Sequence, residues 1–188
     1  MVVATIVLAG ALGIVLFKGS RSSSAGSRSS FEGSIPPAGV PPRDFKLVDQ
    51  DGKTASLAAY RGRPVILSFM YSTCQDTCPI MAQQIKGALD DLGHDIPVLL
   101  ISVDPANDSP LNAKRFLLKQ HVTGRMRFLL GDRAQLAPVW KAYGIRPQGQ
   151  GFEHTAYVML IGRDGTQKVS WPADKLTPGP LARDLARL

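Results

Sequence analysis

Cysteine is scarce in this sequence: its 188 residues include only two, Cys74 and Cys78. A zinc ribbon needs two such pairs, so the sequence excludes that class of metal site. Long basic runs interleaved with aromatic residues are also absent, because the basic residues occur in scattered pairs such as Lys114 and Arg115. The net charge of +7 therefore does not predict nucleic-acid binding. No internal repeat is present.

Changes in composition divide the chain into three segments. Residues 1–17 are apolar or small and carry no charge, and at ~1.5 Å per residue a helix of this length reaches ~25 Å, slightly less than a bilayer core. Residues 18–43 are rich in Ser, Gly and Pro, as in a flexible linker. Residues 44–188 are long enough to bury the core of one globular domain. We therefore predict a membrane anchor, a linker and one domain.

The flanks of the apolar segment leave its processing and orientation open. Small residues at Ser23 and Ala25 are typical of a signal-peptide cleavage site, but the basic stretch that usually precedes such a segment is missing, so we favour an uncleaved anchor. Lys18, Arg21 and Arg28 follow the apolar segment. By the positive-inside rule these charges would place the domain in the cytoplasm.

Apolar runs and helix-start signals alternate from residue 44 onward. A short hairpin is predicted around the turn Asp51-Gly52. Three runs that are apolar on both faces predict strands covered by helices, at residues 65–71, 98–103 and 157–161. Residues 128–130 are a candidate for an additional short strand. Helix starts are indicated at Thr77, Ser109, Asp132 and Thr177. This order predicts an α/β fold, a thioredoxin-like sandwich with a central sheet flanked by helices.

The two cysteines stand where a buried strand is predicted to end and a helix to begin. Backbone N–H groups and the helix dipole stabilise negative charge at such a position, so either thiol should ionise more readily than a free cysteine. The thiolate is the form that binds metals and attacks disulfides. A purely structural disulfide is the alternative, but a bridge across three intervening residues restricts the unfolded chain little. The position therefore favours a metal or redox site at Cys74 and Cys78.

The three histidines are candidates for a further ligand. Two soft sulfurs and an imidazole suit Cu(I), and an added oxygen ligand or water would suit Cu(II). His94 lies in a predicted connection and His121 at a helix end, so both are expected on the surface. His154 precedes the predicted strand at 157–161, and a loop residue there could reach the cysteines. A lone histidine is, however, commonly just a satisfied polar group.

Three stretches of this sequence resemble the Sco/SenC family. The first stretch, residues 68–79, includes the Cys-x-x-x-Cys-Pro turn, and the second, residues 102–105, reads Ser-Val-Asp-Pro. The third, residues 153–155, reads Glu-His-Thr and is followed by Asp164-Gly165. The resemblance extends in order over residues 44–170. The cysteine turn and the later His-Thr are its most specific parts.

The resemblance implies a thioredoxin fold that binds one copper ion, Cu(I) or Cu(II), through Cys74, Cys78 and His154. It implies a role in assembling the dinuclear copper centre of cytochrome c oxidase, with the apo subunit of the oxidase as partner and no small-molecule substrate. It also implies a membrane-anchored domain that faces away from the cytoplasm, and we let this outweigh the charge rule. We favour the periplasmic side of a bacterial inner membrane over a mitochondrial location.

The sequence departs from the family pattern at Met70, Gln75 and Gly162, where the family often has Gly, Pro and Asp. None of these residues is a presumed ligand, but Gln75 between the cysteines could loosen the turn and alter its redox potential. Asp104 ends a predicted strand and could orient a ligand as a hydrogen-bond acceptor. Alternatively, it simply forms the turn that Asp-Pro favours.

Two functions remain open at this point. The first is a metallochaperone that holds copper and hands it to the oxidase subunit. The second is a thiol:disulfide oxidoreductase that reduces the cysteines of that subunit, with Cys74 and Cys78 as the couple. His154 discriminates between them, because reductase chemistry needs only the sulfurs. A peroxidase would need a cysteine supported by an arginine and a threonine, and no such constellation is evident.

Overall fold

The computed structural model describes residues 31–37, 43–149 and 156–188. Within these ranges seven strands form one sheet, and four α-helices pack against it. The strands are β1 (Lys46–Asp49), β2 (Thr54–Ser56), β3 (Val65–Met70), β4 (Val98–Ser102), β5 (Met126–Leu130), β6 (Tyr157–Ile161) and β7 (Gln167–Pro172). The helices are α1 (Thr77–Leu92), α2 (Pro110–Lys119), α3 (Arg133–Tyr143) and α4 (Pro178–Leu185).

The strand order in the sheet is β2-β1-β5-β4-β3-β6-β7. The central strands β3, β4 and β5 are parallel, and β1 and β6 pair antiparallel with β5 and β3. Every residue of β3 and β4 is buried, as expected for parallel strands with both faces covered. Met70 pairs with Ser102 at the carboxyl ends of β3 and β4. The loops that follow these two strands therefore meet at one edge of the sheet.

Helices cover both faces of the sheet. On one face α1, α2 and α4 contribute Ile85, Phe116 and Leu181 to a shared apolar core. On the other face α3 contributes Val139 and Trp140 to a second core. These contacts bury the apolar positions that recur with helical periodicity in the sequence. The predicted thioredoxin-like α/β sandwich is thus confirmed.

The helix starts agree with the sequence signals, with one shift. Ser109 caps α2, and its side chain accepts a hydrogen bond from the backbone N–H of Asn112. Asp132 and Gln135 form a reciprocal capping box at the start of α3. At α1 the capping residue is Asp76 rather than Thr77. The Asp76 carboxylate accepts a hydrogen bond from the backbone N–H of Thr77. Asp is the better cap of the two, so Thr77 becomes the first helical residue.

The sequence pattern does not predict β7. This strand begins with the polar residues Gln167 and Lys168, and only Val169 and Trp171 are buried. A strand with one partly exposed face does not form the continuous apolar run that identifies β3 and β4.

Residues 31–34, part of the segment predicted as linker, pack against the domain and are called here the amino-terminal strap. Ser34 and Ser170 exchange backbone hydrogen bonds of 2.9 and 2.8 Å, which fix the strap to β7. The backbone N–H groups of Glu32 and Gly33 donate to the buried carboxylate of Asp184 on α4, at 2.8 and 2.9 Å. The strap is thus held by contacts with residues distant in sequence, which composition alone does not indicate.

The predicted anchor, residues 1–17, and residues 18–30 of the predicted linker lie outside the described residues. In the described ranges, no helix combines the length and the apolar character needed to cross a bilayer.

Candidate metal and redox site

Both cysteines lie where β3 gives way to α1. The segment between these elements, residues 71–76, is called here the cysteine loop. It turns back on itself, because the backbone N–H of Cys74 donates to the Tyr71 carbonyl at 3.2 Å. Cys78 is the second residue of α1, so its backbone N–H belongs to the unpaired first turn of that helix. The two cysteines are not joined by a disulfide, and Cys74 is 6% exposed while Cys78 is fully buried.

The first turn of α1 brings the two cysteines into direct contact. The backbone N–H of Cys78 donates to Cys74 Sγ at 3.2 Å. Asp76 Oδ1 lies 3.4 Å from the same sulfur and accepts a hydrogen bond from it when Cys74 is protonated. The structure therefore brings Cys74 and Cys78 together at one turn.

The two thiols differ in acidity. Hydrogen bonds from the Cys78 thiol and from the backbone N–H groups of Cys78 and Asp76 lower the pKa of Cys74 to about 6, against the opposing effect of burial. The hydrogen bond to Cys74, together with burial, raises the pKa of Cys78. Near neutral pH the site is a thiolate at Cys74 hydrogen-bonded to a neutral thiol at Cys78. Because the two groups share a proton, they titrate as a pair.

Tyr71 also acts on this thiolate. Burial raises the pKa of the Tyr71 hydroxyl, and its hydrogen bond to Cys74 raises that pKa further. The phenol is therefore protonated near neutral pH and donates to Cys74, which is one of the interactions that lower the pKa of Cys74. From the sequence, Tyr71 is predicted only as the end of a strand.

A polar cleft of about 570 Å³ lies beside the cysteine loop. Tyr71 and Asp76 line one side, and Asp104 and Gly149 also contribute. The chain continues from Gly149 towards His154, but residues 150–155, and so the predicted ligand His154, lie outside the described residues. In residues 31–37, 43–149 and 156–188, no three or more His, Cys, Asp or Glu side chains are grouped to hold a metal ion. His94 and His121 are exposed, as predicted.

Asp104 and Asp108 have different roles in the loop after β4. The Asp104 carboxylate accepts from the Asn107 side-chain amide at 2.8 Å, and its carbonyl accepts from the Asn107 and Asp108 backbone N–H groups. These bonds are those of a turn former. That Asp104 orients a metal ligand by accepting a hydrogen bond from it therefore stays a prediction.

Asp108 contacts the cysteine loop, although its position in the sequence does not indicate such a role. Asp108 is 8% exposed, and its carboxylate accepts three short hydrogen bonds, from the backbone N–H and the hydroxyl of Ser72 and from the hydroxyl of Ser102. Burial raises the pKa of this carboxyl group, and the bonds from Ser102 and Ser72 act against that effect. An acidic residue just before the cap of α2 resembles an ordinary helix-start residue, so its sequence position gives no signal of burial.

Fold and site together define a thioredoxin-like domain that carries an activated dithiol at the amino end of α1. The sequence model of the SCO1/SenC family matches residues 38–188. The chain therefore belongs to the SCO1/SenC family.

Individual relatives agree with this assignment. The structure of Bradyrhizobium japonicum ScoI with copper bound is 32% identical to this chain, covers 78% of it and 98% of its own length, and superposes with a TM-score of 0.67. A second structure is that of BsSco, a member of the Sco family of cytochrome c oxidase assembly proteins, and a disulfide switch was identified in BsSco. It is 25% identical to this chain, covers 77% of this chain and 91% of its own length, and superposes with a TM-score of 0.64.

A curated relative, an SCO2-like protein of Rickettsia conorii, is 26% identical over 134 residues, which are 65% of this chain and 64% of the relative. The match thus spans just under two thirds of that relative's length.

Proposed function

We propose that this protein is a copper-binding metallochaperone that assists assembly of the dinuclear copper centre of cytochrome c oxidase. The observation that carries the proposal is the thiolate–thiol pair of Cys74 and Cys78 in a SCO1/SenC domain. Relatives with this fold include ScoI with copper bound and a member of a family of cytochrome c oxidase assembly proteins. Copper is the cargo in this proposal, and the apo subunit of the oxidase that receives it is the partner.

The donor set fits copper. Soft sulfur ligands select Cu(I), and the Cys74 thiolate already has the charge that a metal ligand needs. Binding through Cys78 releases the proton that its thiol holds, so uptake of copper should be coupled to proton release.

His154 is proposed as the third ligand. The support is the family motif, in which His154 is the histidine at the matching position. His94 and His121 are exposed beyond the carboxyl ends of α1 and α2, and the amino end of α1 carries Cys78.

The experiment is copper stoichiometry and chelator competition on the purified domain. Cys74→Ser, Cys78→Ser and His154→Ala should each weaken binding at least about tenfold, while circular dichroism shows an intact fold. The double variant His94→Ala with His121→Ala is the matched control and should bind like the parent. If His154→Ala also binds like the parent, the three-ligand site is wrong; if the control loses copper, the wrong histidine has been chosen.

A thiol:disulfide oxidoreductase is the second candidate, and the unequal acidity of the two thiols favours it specifically. Cys74 thiolate would attack a disulfide of the target, releasing one target sulfur as thiolate and forming a mixed disulfide. Cys78, after losing its proton, would then attack Cys74 Sγ and release the second target sulfur. The target disulfide is reduced to two thiols as Cys74 and Cys78 are oxidised to a disulfide. A His154→Ala variant that still supports oxidase assembly in cells would favour this function.

The location proposed for the domain is extracytoplasmic, tethered to a membrane through residues 1–17. The support is the uncharged apolar composition of that segment and the family assignment. A reporter fused after Leu188 tests the topology, and activity of that reporter only in the cytoplasm would contradict the proposal.

A further inference from the structure

Asp108 joins the two loops that meet at the carboxyl edge of β3 and β4. One carboxylate oxygen accepts from the Ser72 backbone N–H at 2.6 Å and from the Ser72 hydroxyl at 2.5 Å. The other oxygen accepts from the hydroxyl of Ser102, the last residue of β4, at 2.6 Å. The carboxylate is thus bonded on both oxygens, and it connects the cysteine loop to a strand that lies in the centre of the sheet.

Ser72 precedes Cys74 by two residues, so this connection acts on the position of the sulfur. Met70 is fixed on the other side, because its carbonyl accepts from the Val103 backbone N–H at 3.0 Å. The Tyr71 carbonyl, between Met70 and Ser72, accepts from the Cys74 backbone N–H. Holding Ser72 therefore holds the turn that directs Cys74 towards Cys78.

Asp108 itself is held firmly. Its backbone N–H donates to the Asp104 carbonyl at 2.9 Å, and it directly precedes Ser109, the cap of α2. A side chain fixed at its own backbone and bonded through both oxygens can transmit that rigidity to the loop it contacts.

We propose that Asp108 is the positioning residue of the dithiol: it fixes the cysteine loop so that Cys74 and Cys78 stay close enough together to bind one metal ion or to form a disulfide. The part of this proposal that concerns copper rests on the proposed function. The part that concerns the dithiol–disulfide equilibrium does not, since it depends only on the two cysteines.

The test compares Asp108→Ala with Asp184→Ala. Asp184 is also a buried carboxylate that accepts two backbone N–H groups, but its bonds come from the amino-terminal strap, Trp171 and Arg187. Both variants lose a buried acceptor and should lose stability. Asp184→Ala therefore shows how far a loss of stability alone changes the two readouts. The two readouts are copper affinity by chelator competition and the dithiol–disulfide equilibrium constant in a glutathione redox buffer.

Asp108→Ala should weaken copper binding about 10- to 100-fold, the range typical for residues that orient a ligand. It should also shift the redox equilibrium at least about tenfold towards the dithiol, or about 30 mV, because a looser loop lowers the effective concentration of one thiol for the other. Asp108→Asn keeps one acceptor for the Ser72 N–H and should recover part of both losses. Asp184→Ala should leave both readouts within about twofold of the parent.

Ser72→Ala is the second variant, for use if Asp108→Ala does not fold. It removes a single bond to the carboxylate and should shift both readouts in the same direction by a smaller factor. The proposal is overturned if the folded Asp108 or Ser72 variants match the parent in redox equilibrium, or if Asp184→Ala shifts the readouts as much as Asp108→Ala. A parent protein that binds no copper would refute the proposed function, while the redox equilibrium would still decide the role of Asp108.

Discussion

Alkylation of the reduced protein should reach Cys74 first and should follow a pH profile with its midpoint near a pH of about 6. Iodoacetamide reacts with the thiolate, and the hydrogen bonds from the Cys78 thiol and nearby backbone N–H groups favour the thiolate of Cys74. Cys78 is fully buried and its pKa is raised, so it should be labelled slowly over the same pH range.

The pH profile discriminates better than the rate itself. A thiol with a pKa of about 6 is roughly 90% ionised at pH 7 and roughly 10% at pH 5, whereas a free cysteine with a pKa of about 8.5 is roughly 3% and 0.03% ionised. Labelling should therefore fall about 10-fold between these pH values for Cys74 and about 100-fold for a free thiol. At pH 7 the thiolate fraction of Cys74 is about 30 times that of a free cysteine. A thiolate with a lower pKa is, however, about 10- to 18-fold less nucleophilic, so most of this gain does not appear in the labelling rate.

Pulsed alkylation followed by peptide mass spectrometry measures each cysteine separately. Cys78→Ser keeps a hydrogen-bond donor beside Cys74 and should keep the acidic midpoint, whereas Cys78→Ala removes that donor and should raise it. A Cys74 midpoint near the value of about 8.5 for a free cysteine, or faster labelling of Cys78, would refute the assignment of the thiolate.

Three further predictions concern the fold and the tether. Asp184→Ala leaves the strap N–H groups without their acceptor and should lower the free energy of unfolding by about 3 kcal/mol in urea titrations. Glu32→Gln changes only an exposed ion pair with Arg183 and should have little effect. Asp132→Ala removes the capping box of α3 and should cost about 1 kcal/mol by the same measurement, and Asp132→Asn should recover most of it. The full chain should fractionate with membranes and a chain that starts at Phe31 should be soluble; equal partitioning of the two would contradict the anchor at residues 1–17.

The elements best predicted from sequence are those whose signal is local. The apolar runs at residues 65–71 and 98–103 identify β3 and β4, because strands covered on both faces need apolar residues at every position. The caps Ser109 and Asp132 are likewise recognisable from their immediate neighbours. The position of Cys74 and Cys78 at a strand-to-helix junction follows directly from these elements.

The features that the sequence does not predict depend on contacts between distant residues. Asp108 and Ser72 are 36 residues apart, and Asp184 and Glu32 are 152 apart. Each contact involves a polar residue that composition assigns to the surface or to a loop, because burial of a carboxylate depends on partners that only the fold provides. The unequal acidity of the two cysteines has the same origin, since it depends on which N–H groups and hydroxyls the fold directs at Cys74.

The amino-terminal strap also shields the border of the sheet. β7 is the outermost strand on its side, and an outer strand with unpaired backbone groups is a template for pairing with another molecule. Ser34 forms backbone hydrogen bonds with Ser170 on the outer side of β7. The strand at the opposite border, β2, has only three residues. A domain that began at residue 44, where the alternating pattern starts, would lack this cover and would leave β7 open. Residues that look like a spacer in the sequence thereby occupy part of an edge at which another molecule could pair.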